Sequence, residues 1–578
     1  MIMRRYLPET LICLLIVITI CLVYYQINDF SYILYDDILA VDNPYMVNGI
    51  TPEKITRAFG VHDHVPYMSP VPLIIAMAQW EFAGDDYGMH HLFSLFLHAS
   101  TAIMLFLFLR SATGKKWESG LCAALFALHP INVEPVVWLT GVSGLLEAFF
   151  LIFTLLFYHH YIVKPSLKRY FLIFPTFILG LLCKPTIAVL PLLMICLDYW
   201  PFHRIGPTQP IDRNTVLRAD WFRLILEKIP FIFIVILQFL FRELLINKRS
   251  SFSKNTPIHF HPGGIIDFVL YMKKIVYPAE LTICYPQPPV ASLGTAFGVL
   301  GILALITCLL LRATRFKKFP GYIITGWIWF LAACLPVLIM VSFSDRPVAD
   351  RHLYIPLIGI FIIISFGMGN LIRSVPYGRP IFLSMITLFL TMLAIISYTQ
   401  TTHWMDSITI FSHAVSLDPD NKRALSNLGD AFLENGEINK ATQYYQELVR
   451  VDPQSALAHT KLAKALALQK NAEKAAAHYK KALILSPEYE FAQHNYADLL
   501  MENGHIDEAI QHYRKALAIN PNLFRTHNNL ATAFLKKGNV SMAVFHLKQA
   551  LKINPDYKTA RVNLRIITQK TPPSPATP

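Results

Sequence analysis

Long apolar runs fill the first 400 residues of this chain, and they constrain its fold more than any other feature. A membrane-spanning helix needs about 20 mostly apolar residues. Eleven stretches meet or approach that requirement: residues 7–25, 91–109, 120–137, 145–163, 170–183, 187–199, 230–246, 293–311, 322–341, 353–372 and 381–398. Charged residues make up only 15% of the chain, whereas a soluble domain contains about 25%. The sequence therefore predicts an all-α, polytopic membrane helix bundle over residues 1–400, with about 11 spans.

Lysine and arginine residues are concentrated in alternate loops between the predicted spans. If the N-terminus is cytoplasmic, every inner loop carries cations: Arg110, Lys115 and Lys116; Lys164, Lys168 and Arg169; Arg204, Arg213, Arg218 and Arg223; Arg312, Arg315, Lys317 and Lys318; Arg373 and Arg379. This distribution follows the positive-inside rule. It predicts a multi-pass protein of the cell (inner) membrane whose C-terminal part lies on the outer, periplasmic side. Because so many cations lie in these loops and no nucleic-acid motif occurs, the net charge of +13 does not predict a nucleic-acid partner.

The apolar segment 265–278 contains Lys273 and Lys274. Two ammonium groups are costly inside a bilayer, so we interpret this segment as an interfacial helix. If it spanned the membrane instead, the C-terminal part would lie on the opposite side.

A 34-residue period governs the chain beyond Thr401. Prolines, alanines and tyrosines recur at this spacing: Pro419, Pro453, Pro487, Pro521 and Pro555; Ala441, Ala475, Ala509 and Ala543; Tyr445, Tyr479 and Tyr513. This is the pattern of tetratricopeptide repeats (TPRs), in which small residues lie where paired helices touch and proline follows the second helix. We predict a half repeat and linker at 401–421, four TPR repeats at 422–555, and a cap helix with a disordered tail at 556–578. Such an array presents an interaction surface, most often for peptides.

Four groups of polar residues lie at the ends of spans on the predicted outer side. They are Asp36 and Asp37 after the first span, His129 and Glu134 around the third, Lys184 after the fifth, and Asp350, Arg351 and Tyr354 before the tenth. Ionisable groups at a membrane are costly without partners, so these residues are candidates for a functional site. For Asp36 and Asp37 the alternative is an ordinary loop turn. For Arg351 the alternative is a structural ion pair with Asp350.

The order of these segments resembles one protein family. Asp36-Asp37, His91-x-x-Ser-x-x-x-His98, HPINVEPVVW at 129–138, CKPTIAVLPLL at 183–193 and ADRHLYIPLIG at 349–359 are followed by TPRs. This arrangement is similar to that of the transmembrane, TPR-containing O-mannosyltransferases of animals and their bacterial relatives, within the GT-C class of glycosyltransferases. The resemblance implies a catalytic acid at Asp36 or Asp37 and a polyprenyl-phosphate-linked sugar as donor. The chain departs from the family at residues 142–144, where Val-Ser-Gly replaces the common Arg-Lys-Asp.

These residue types fit the transfer of a sugar from a lipid phosphate to a protein hydroxyl. The departing phosphate is an anion, which Lys184 and Arg351 can bind. A carboxylate at Asp36 or Asp37 can accept the proton of the acceptor hydroxyl. We predict an inverting displacement with four supporting polar residues: His129, Glu134, Asp350 and Tyr354.

The predicted chemistry requires no metal ion or other cofactor. The pairs His62/His64 and His259/His261 have side chains of a type that binds metals. Histidines in outer loops are more often unliganded, so we assign no metal site.

Two other functions are consistent with parts of the sequence. A non-enzymatic membrane scaffold for the assembly of envelope complexes would use the TPRs to recruit partners, but it needs one span and no clustered outer acids and bases. A transporter would carry its polar groups near the bilayer midplane, whereas here they lie at the ends of spans. We therefore predict a glycosyltransferase whose TPRs dock a protein or peptide acceptor, with the scaffold as the alternative.

Asparagine recurs on the first helix of each predicted TPR. Asn427, Asn495, Asn529 and Asn563 occupy equivalent positions, and Lys461 takes the remaining one. Asparagine is a mediocre helix former, so its recurrence needs a reason. We predict that these amides bind the backbone of an extended acceptor, as a similar ladder occurs in the TPR superhelix of the nucleocytoplasmic O-GlcNAc transferase. The alternative is that they bond the neighbouring repeat and stiffen the stack.

Overall fold

The computed structural model describes residues 2–35, 37, 49–60, 69–205, 221–247, 263–286, 292–314, 316, 319–342 and 349–570. The regular structure of these residues is entirely helical, as predicted. The chain divides into two compact units, Met1–His413 and Ala414–Pro578. The predicted domain boundaries at 400, 421 and 555 stay predictions.

The first unit carries the apolar helices. In the described residues they are α1 (Ile2–Tyr24), α2 (Pro52–Ala58), α3 (Pro70–Ala83), α4 (Tyr87–Thr113), α5 (Lys116–Leu128), α6 (Val133–Val137), α7 (Val142–Val163), α8 (Leu167–Phe171), α9 (Ile173–Cys183), α10 (Leu190–Tyr199), α11 (Trp221–Asn247), α12 (Gly263–Val276), α13 (Leu293–Ala313), α14 (Gly321–Ser342), α15 (Leu357–Ser374) and α16 (Arg379–Thr402). Short 3-10 helices cover Tyr25–Asp29, Pro130–Asn132, Leu139–Gly141, Pro185–Val189, Asp350–Leu353 and Pro376–Gly378.

Eight helical segments in the described part of the chain are long and apolar enough to cross a membrane. They include α1, α4, α7, α11, α13, α14, α15 and α16. A ninth span results if α5 and the segment Pro130–Val137, which meet at 54°, count as one. The remaining two predicted spans, 170–183 and 187–199, do not form helices of spanning length. Helix α9 has 11 residues, and the apolar segment Pro185–Tyr199 follows it after a break. The 14 residues of α12 are also fewer than the roughly 20 that a span needs.

Two glycines bring α14 and α15 into backbone contact. A Cβ atom on Gly326 would lie 2.4 Å from the carbonyl oxygen of Gly359, and a Cβ atom on Gly359 would lie 2.3 Å from that of Gly326. No larger residue fits either position without a shift of the backbone. Small residues let helices approach closely in membranes, where dispersion contacts contribute much of the packing energy. This crossing positions the turn Asp350–Leu353, which immediately precedes α15.

The second unit is a TPR array, as predicted. After α17 (Ser407–Leu417), which ends inside this unit, four helix pairs and a final helix follow: α18 (Lys422–Glu434) and α19 (Ile438–Val451), α20 (Ala456–Leu468) and α21 (Ala472–Leu485), α22 (Glu490–Glu502) and α23 (Ile506–Ile519), α24 (Phe524–Lys536) and α25 (Val540–Ile553), then α26 (Lys558–Lys570). The periodic alanines and tyrosines of the second helices are buried. In the first repeat a Cβ atom on Gly429 would lie 2.4 Å from the Tyr445 ring, so the helices of this pair require glycine there.

Candidate functional site

Lys184 leaves its helix because proline follows it. It has an extended backbone, with φ −158° and ψ 131°, since a residue before proline avoids the helical region. The 3-10 helix Pro185–Val189 then leads into α10. The same effect operates at His129 before Pro130, where φ is −74° and ψ is 129°. Both prolines therefore end a helix at a residue that the sequence singles out.

A small open cavity lies beside Lys184. Its walls come from α7, from the 3-10 helix after Lys184, from α14 and from the turn before α15. The polar lining residues are Glu147, Lys184, Thr186, Arg351, His352 and Tyr354. The apolar ones are Leu151, Val189, Ala333, Val337, Ile355 and Pro356. The cavity thus brings Lys184 and Arg351 to one apolar-walled space, and Gly144 also borders it.

The Arg351 side chain is oriented by a carboxylate and an aromatic ring. Its Nη1 contacts Oε1 of Glu134, and its backbone N–H donates to Oε2 of the same residue at 3.1 Å. Its guanidinium carbon lies 4.6 Å from the centroid of the Trp138 ring, within cation–π distance. The arginine side chain remains 29% exposed. The ion pair that the sequence suggested with Asp350 is therefore formed with Glu134.

Lys184 lies near a buried acid that the sequence analysis did not single out. Its Nζ is 3.8 Å from Oε2 of Glu147, and the Thr186 hydroxyl donates a hydrogen bond to Oε1 of that carboxylate. The Glu147 side chain is 4% exposed, whereas that of Lys184 is 28% exposed. The lysine is therefore more accessible than the acid that balances it.

Asp37 is fully buried, and the backbone holds its carboxylate. Its Oδ2 accepts from the N–H of Ile33 and its Oδ1 from the N–H of Thr140, each at 3.0 Å. Thr140 follows Trp138 by two residues, so the loop of Asp37 and the turn of Arg351 meet the same segment. Asp37 is not among the residues that line the cavity, and Asp36 lies outside the described residues.

The loop before Asp37 is also tied to the chain that follows the last span. The N–H of Ser31 donates to the carbonyl of Met405 at 3.1 Å, and the N–H of Leu34 donates to Oγ of Ser407 at 2.7 Å. The start of α17 thus helps to hold the loop that carries the two candidate acids.

Asp350 is held apart from Arg351 by partners of its own. The Tyr285 hydroxyl lies 2.9 and 2.8 Å from its two carboxylate oxygens, and Nζ of Lys274 lies 3.4 Å from Oδ1. Burial raises the pKa of Asp350 to about 6, although Lys274 acts in the opposite direction. Lys274 in α12 is therefore a partner for a buried acid.

His129 and Tyr354 join neighbouring helices. Nε2 of His129 donates to the carbonyl of Ile275 at 3.2 Å. The Tyr354 hydroxyl donates to Nδ1 of His98 at 2.7 Å, and Nε2 of His98 donates to the carbonyl of Ala127 at 3.2 Å. Of these two supporting residues, Tyr354 lines the cavity.

The four asparagines of the predicted TPR ladder have different surroundings. Nδ2 of Asn529 donates to Asp498 at 2.9 Å, and Nδ2 of Asn563 donates to Asn528 at 3.0 Å, each in the preceding repeat. Nδ2 of Asn427 is buried and has no hydrogen-bond partner within the described residues, and Asn495 is partly buried. The two C-terminal members thus make the inter-repeat contacts of the alternative interpretation, while acceptor binding by the ladder stays a prediction.

No group of three or more His, Cys, Asp or Glu side chains in the described ranges is arranged to hold a metal ion. The histidine pairs His62/His64 and His259/His261 lie outside those ranges.

Comparison with known proteins identifies the repeats. Family models described as tetratricopeptide repeat match residues 394–449, 426–490 and 524–557, and a model described as TPR repeat matches residues 497–538. These matches cover the array that the 34-residue period predicts, except for residues 491–496.

Curated relatives extend into the membrane unit. The protein O-mannosyl-transferase F38B6.6 of Caenorhabditis elegans is 23% identical over 442 residues, which cover 71% of this chain and 58% of that protein. Human protein O-mannosyl-transferase TMTC3 is 22% identical over 404 residues, covering 62% and 41%. Drosophila melanogaster protein O-mannosyl-transferase Tmtc2 is 26% identical over 115 residues, covering 20% and 12%. The predicted resemblance to this family is confirmed. The chain spans less than two thirds of the length of these O-mannosyl-transferases.

Two solved structures are similar to part of this chain. The crystal structure of MamA is 26% identical, covering 26% of this chain and 87% of that one, with a TM-score of 0.24. That of YrrB, described as a TPR protein with an unusual peptide-binding site, is 18% identical, covering 28% and 82%, with a TM-score of 0.24. Both scores lie below 0.5, and no feature of the site depends on them.

Sequence reasoning missed three residues around the candidate site. Glu147 is an acid inside an apolar run, a signal that by itself marks a functional candidate. Trp138 closes the HPINVEPVVW segment, but nothing in that segment indicates that Arg351 lies against its ring. In the sequence, Lys274 argues against a span at 265–278, but nothing there indicates its acidic partner. That partner, Asp350, is 76 positions away.

Proposed function

We propose that this chain is a membrane glycosyltransferase of the GT-C class that transfers a sugar from a polyprenyl-phosphate donor to a hydroxyl group of a protein. The observation that carries the proposal is the cavity, because it combines the cations Lys184 and Arg351 with an apolar wall. A lipid phosphate is complementary to both parts of this cavity, because its anion can bind the cations and its hydrocarbon chain can lie against the apolar wall. The relatives are named protein O-mannosyl-transferases, so mannose is the first sugar to test.

The two cations have different roles in the proposed donor site. The planar guanidinium of Arg351 can bind two phosphate oxygens at once, whereas the ammonium of Lys184 acts as a point charge. Charge-assisted hydrogen bonds of this type are roughly twice as strong as neutral ones. Together they stabilise the negative charge that develops on the phosphate as the sugar leaves.

The reaction is a single displacement. The acceptor hydroxyl oxygen bonds to the anomeric carbon of the sugar while the bond from that carbon to the phosphate oxygen breaks. The electron pair of the broken bond leaves with the polyprenyl phosphate, and the hydroxyl proton passes to the carboxylate of Asp36 or Asp37. Because the acceptor attacks from the face opposite the leaving group, the anomeric configuration inverts.

The site lies on the outer face of the membrane in this proposal. Loops rich in lysine and arginine support a cytoplasmic N-terminus by the positive-inside rule. With an odd number of spans, as in the 11 that the sequence predicts, the TPR array lies on the outer, periplasmic side, where it docks the protein acceptor.

The proposal is tested with membranes that contain the full-length protein, a synthetic polyprenyl-phosphate mannose and an acceptor protein. Asp36→Asn and Asp37→Asn are compared with wild type, because general-base catalysis contributes roughly 10²–10⁴-fold to a rate. In one of the two variants, the rate of sugar transfer is expected to fall roughly 10²–10⁴-fold. Asp29→Asn, which changes an exposed acid at the end of the Tyr25–Asp29 helix, is the matched control and is expected to retain transfer.

The outcomes separate the proposal from its alternative. Wild-type turnover in both single variants would show that neither acid is the base. An absence of transfer by wild type from any polyprenyl-phosphate sugar, with retained binding of partner proteins, would favour the non-enzymatic scaffold. Size-exclusion profiles in detergent show whether each variant is folded.

A further inference from the structure

The TPR unit consists of two parts of opposite charge. Residues 414–508 contain 14 acidic and 10 basic residues, so their net charge is −4. Residues 509–570 contain 11 lysines and arginines and one acid, Asp556, so their net charge is +10. The second part covers most of α23 and all of α24, α25 and α26.

The cations of the second part lie on the surface. All ten lysines and arginines from Arg514 to Arg565 are exposed, and we call them the basic surface. Within the described residues, only Lys537 and Arg561 form ion pairs, with Asp507 and Asp556. The other eight positive charges form no ion pair with an acid among the described residues, so the basic surface attracts negatively charged groups.

Apolar side chains lie between these cations. Val562 and Ile566, one turn apart on α26, are exposed, as is Phe545 on α25. The guanidinium of Arg514 lies 5.5 Å from the centroid of the Phe534 ring. A complementary partner therefore carries carboxylates together with some apolar side chains.

An acidic protein segment fits the basic surface better than a bilayer does. A helix that lies in a membrane interface presents a large apolar face, whereas α26 exposes only Val562 and Ile566 among the apolar residues of its described surface. The cations also extend over four helices and not along one helix. TPR arrays, in contrast, bind segments of other proteins along extended surfaces.

We infer that the basic surface docks an acidic segment of a partner protein. If the chain is a glycosyltransferase, this partner is the acceptor, and the repeats select acidic acceptors. That identification rests on the proposed function, whereas the docking does not.

The inference is tested by titrating the full-length protein, in neutral detergent micelles, with fluorescein-labelled decaglutamate and measuring anisotropy. The affinity is expected to fall at least about tenfold between about 20 mM and about 300 mM salt, because exposed charges are screened. The variant K548Q/K552Q/K558Q/R565Q is expected to bind at least about tenfold more weakly than wild type at low salt.

The matched control removes four exposed charges from the first part of the array. K470Q/K474Q/K480Q/K481Q changes lysines that are also exposed and without ion pairs in the described residues. It is expected to bind within about twofold of wild type. Equal losses in the two variants would mean that net charge alone attracts the peptide, and the inference would be wrong.

Two further measurements distinguish the partner. In nanodiscs, loss of peptide binding when phosphatidylglycerol replaces phosphatidylcholine would show that the membrane covers the basic surface, which would overturn the inference. If decaglutamate binds as expected but no donor supports sugar transfer, the proposed function fails and the docking inference stands.

Discussion

The guanidinium of Arg351 lies over the ring of Trp138, 4.6 Å from its centroid. The Trp138 ring is also 6.1 Å from the ring of Tyr35, in the loop of the candidate acids, and 6.1 Å from that of Trp404, which follows the last span. Trp138 therefore links Arg351 to the first loop and to the end of the membrane unit. Arg351 is positioned by Glu134 and Trp138, and the Trp138 ring in turn lies against rings from two distant parts of the sequence.

Replacement of Arg351 by lysine should weaken use of the lipid-phosphate donor by about tenfold or more, because an ammonium cannot bind two phosphate oxygens in one plane or stack on Trp138 as a guanidinium does. Thermal stability should change little, since lysine keeps a positive charge opposite Glu134. The measurement is the dissociation constant of a polyprenyl-phosphate sugar. Arg312→Lys, at an exposed arginine on α13, is the control, and equal donor affinity in Arg351→Lys would contradict the assignment.

Lys184→Gln and Glu147→Gln should change donor affinity in opposite directions. The first removes a cation from the cavity, whereas the second removes the carboxylate that balances that cation at 3.8 Å. Each effect is expected to be about tenfold, as for a partly buried charge at this distance. The same binding assay measures both, and a loss of affinity in both variants would show that Glu147 contributes to donor binding in another way.

Gly359→Ala should destabilise the membrane unit. The added methyl group would overlap the carbonyl oxygen of Gly326, and such overpacking costs about 1–3 kcal/mol. The midpoint of thermal unfolding in detergent should fall accordingly. Gly298→Ala on α13, where a Cβ atom meets no atom within 4 Å, is expected to have no such effect. Equal midpoints for the two variants would rule out the close crossing of α14 and α15.

Acid should destabilise the second and fourth TPRs through two histidine pairs. Nδ1 of His459 lies 3.0 Å from Nδ1 of His478, and Nδ1 of His527 lies 3.0 Å from Nδ1 of His546. Nε2 of His459 and of His527 each donates to a proline carbonyl, so the Nδ1 atom of each must accept. Protonation of both rings would place two N–H groups opposite each other.

The direction of this pH dependence follows from the pKa values. Burial, and then the neighbouring imidazole, lower the pKa of His546 to about 4 and also lower that of His478. The folded state then binds fewer protons than the unfolded chain, where the pKa of histidine is about 6.5. Stability is therefore complete above about pH 6.5 and decreases as the pH falls from there toward about 4.

The third TPR supplies a natural control for this prediction. There Nδ1 of His512 lies 2.6 Å from Oε1 of Gln493, an oxygen that accepts a hydrogen bond from a neutral or a charged ring. His459→Gln with His527→Gln copies that arrangement in the other two repeats. Hydrogen exchange of α20, α21, α24 and α25 between pH 7 and pH 5, corrected for the intrinsic rate, should show less loss of protection in the double variant. An unchanged loss would mean that other groups sense the acid.

Asn529→Ala should destabilise the repeat stack, whereas Asn427→Ala and Asn495→Ala should not. Loss of the hydrogen bond from Asn529 to Asp498 is expected to cost about 1 kcal/mol, seen as faster hydrogen exchange in α22 and α24. If the ladder binds the acceptor, Asn427→Ala and Asn495→Ala should instead reduce glycosylation of a protein acceptor and spare that of a short peptide. Unchanged acceptor use in both would leave the ladder a purely structural feature.

The sequence by itself determined that the long apolar helices exist and where two of the helices break. Lengths of apolar runs set the eight long candidate spans, because a bilayer demands about 20 apolar residues from each helix. Pro130 and Pro185 set the breaks at His129 and Lys184, because proline acts on the backbone of its immediate neighbour. The 34-residue period set the TPR array, because each repeat packs mainly against its sequence neighbours.

Only the tertiary structure decided which charges meet. Arg351 contacts Glu134 and not the adjacent Asp350, Lys274 contacts Asp350, and Lys184 lies near Glu147. A buried charge takes whichever opposite charge the helix packing brings within reach, and that packing depends on features such as the contact of Gly326 with Gly359, which no local pattern encodes. The sequence could therefore name Lys184 and Arg351, but the common cavity beside them arises from the packing of α7, α14 and the turn before α15.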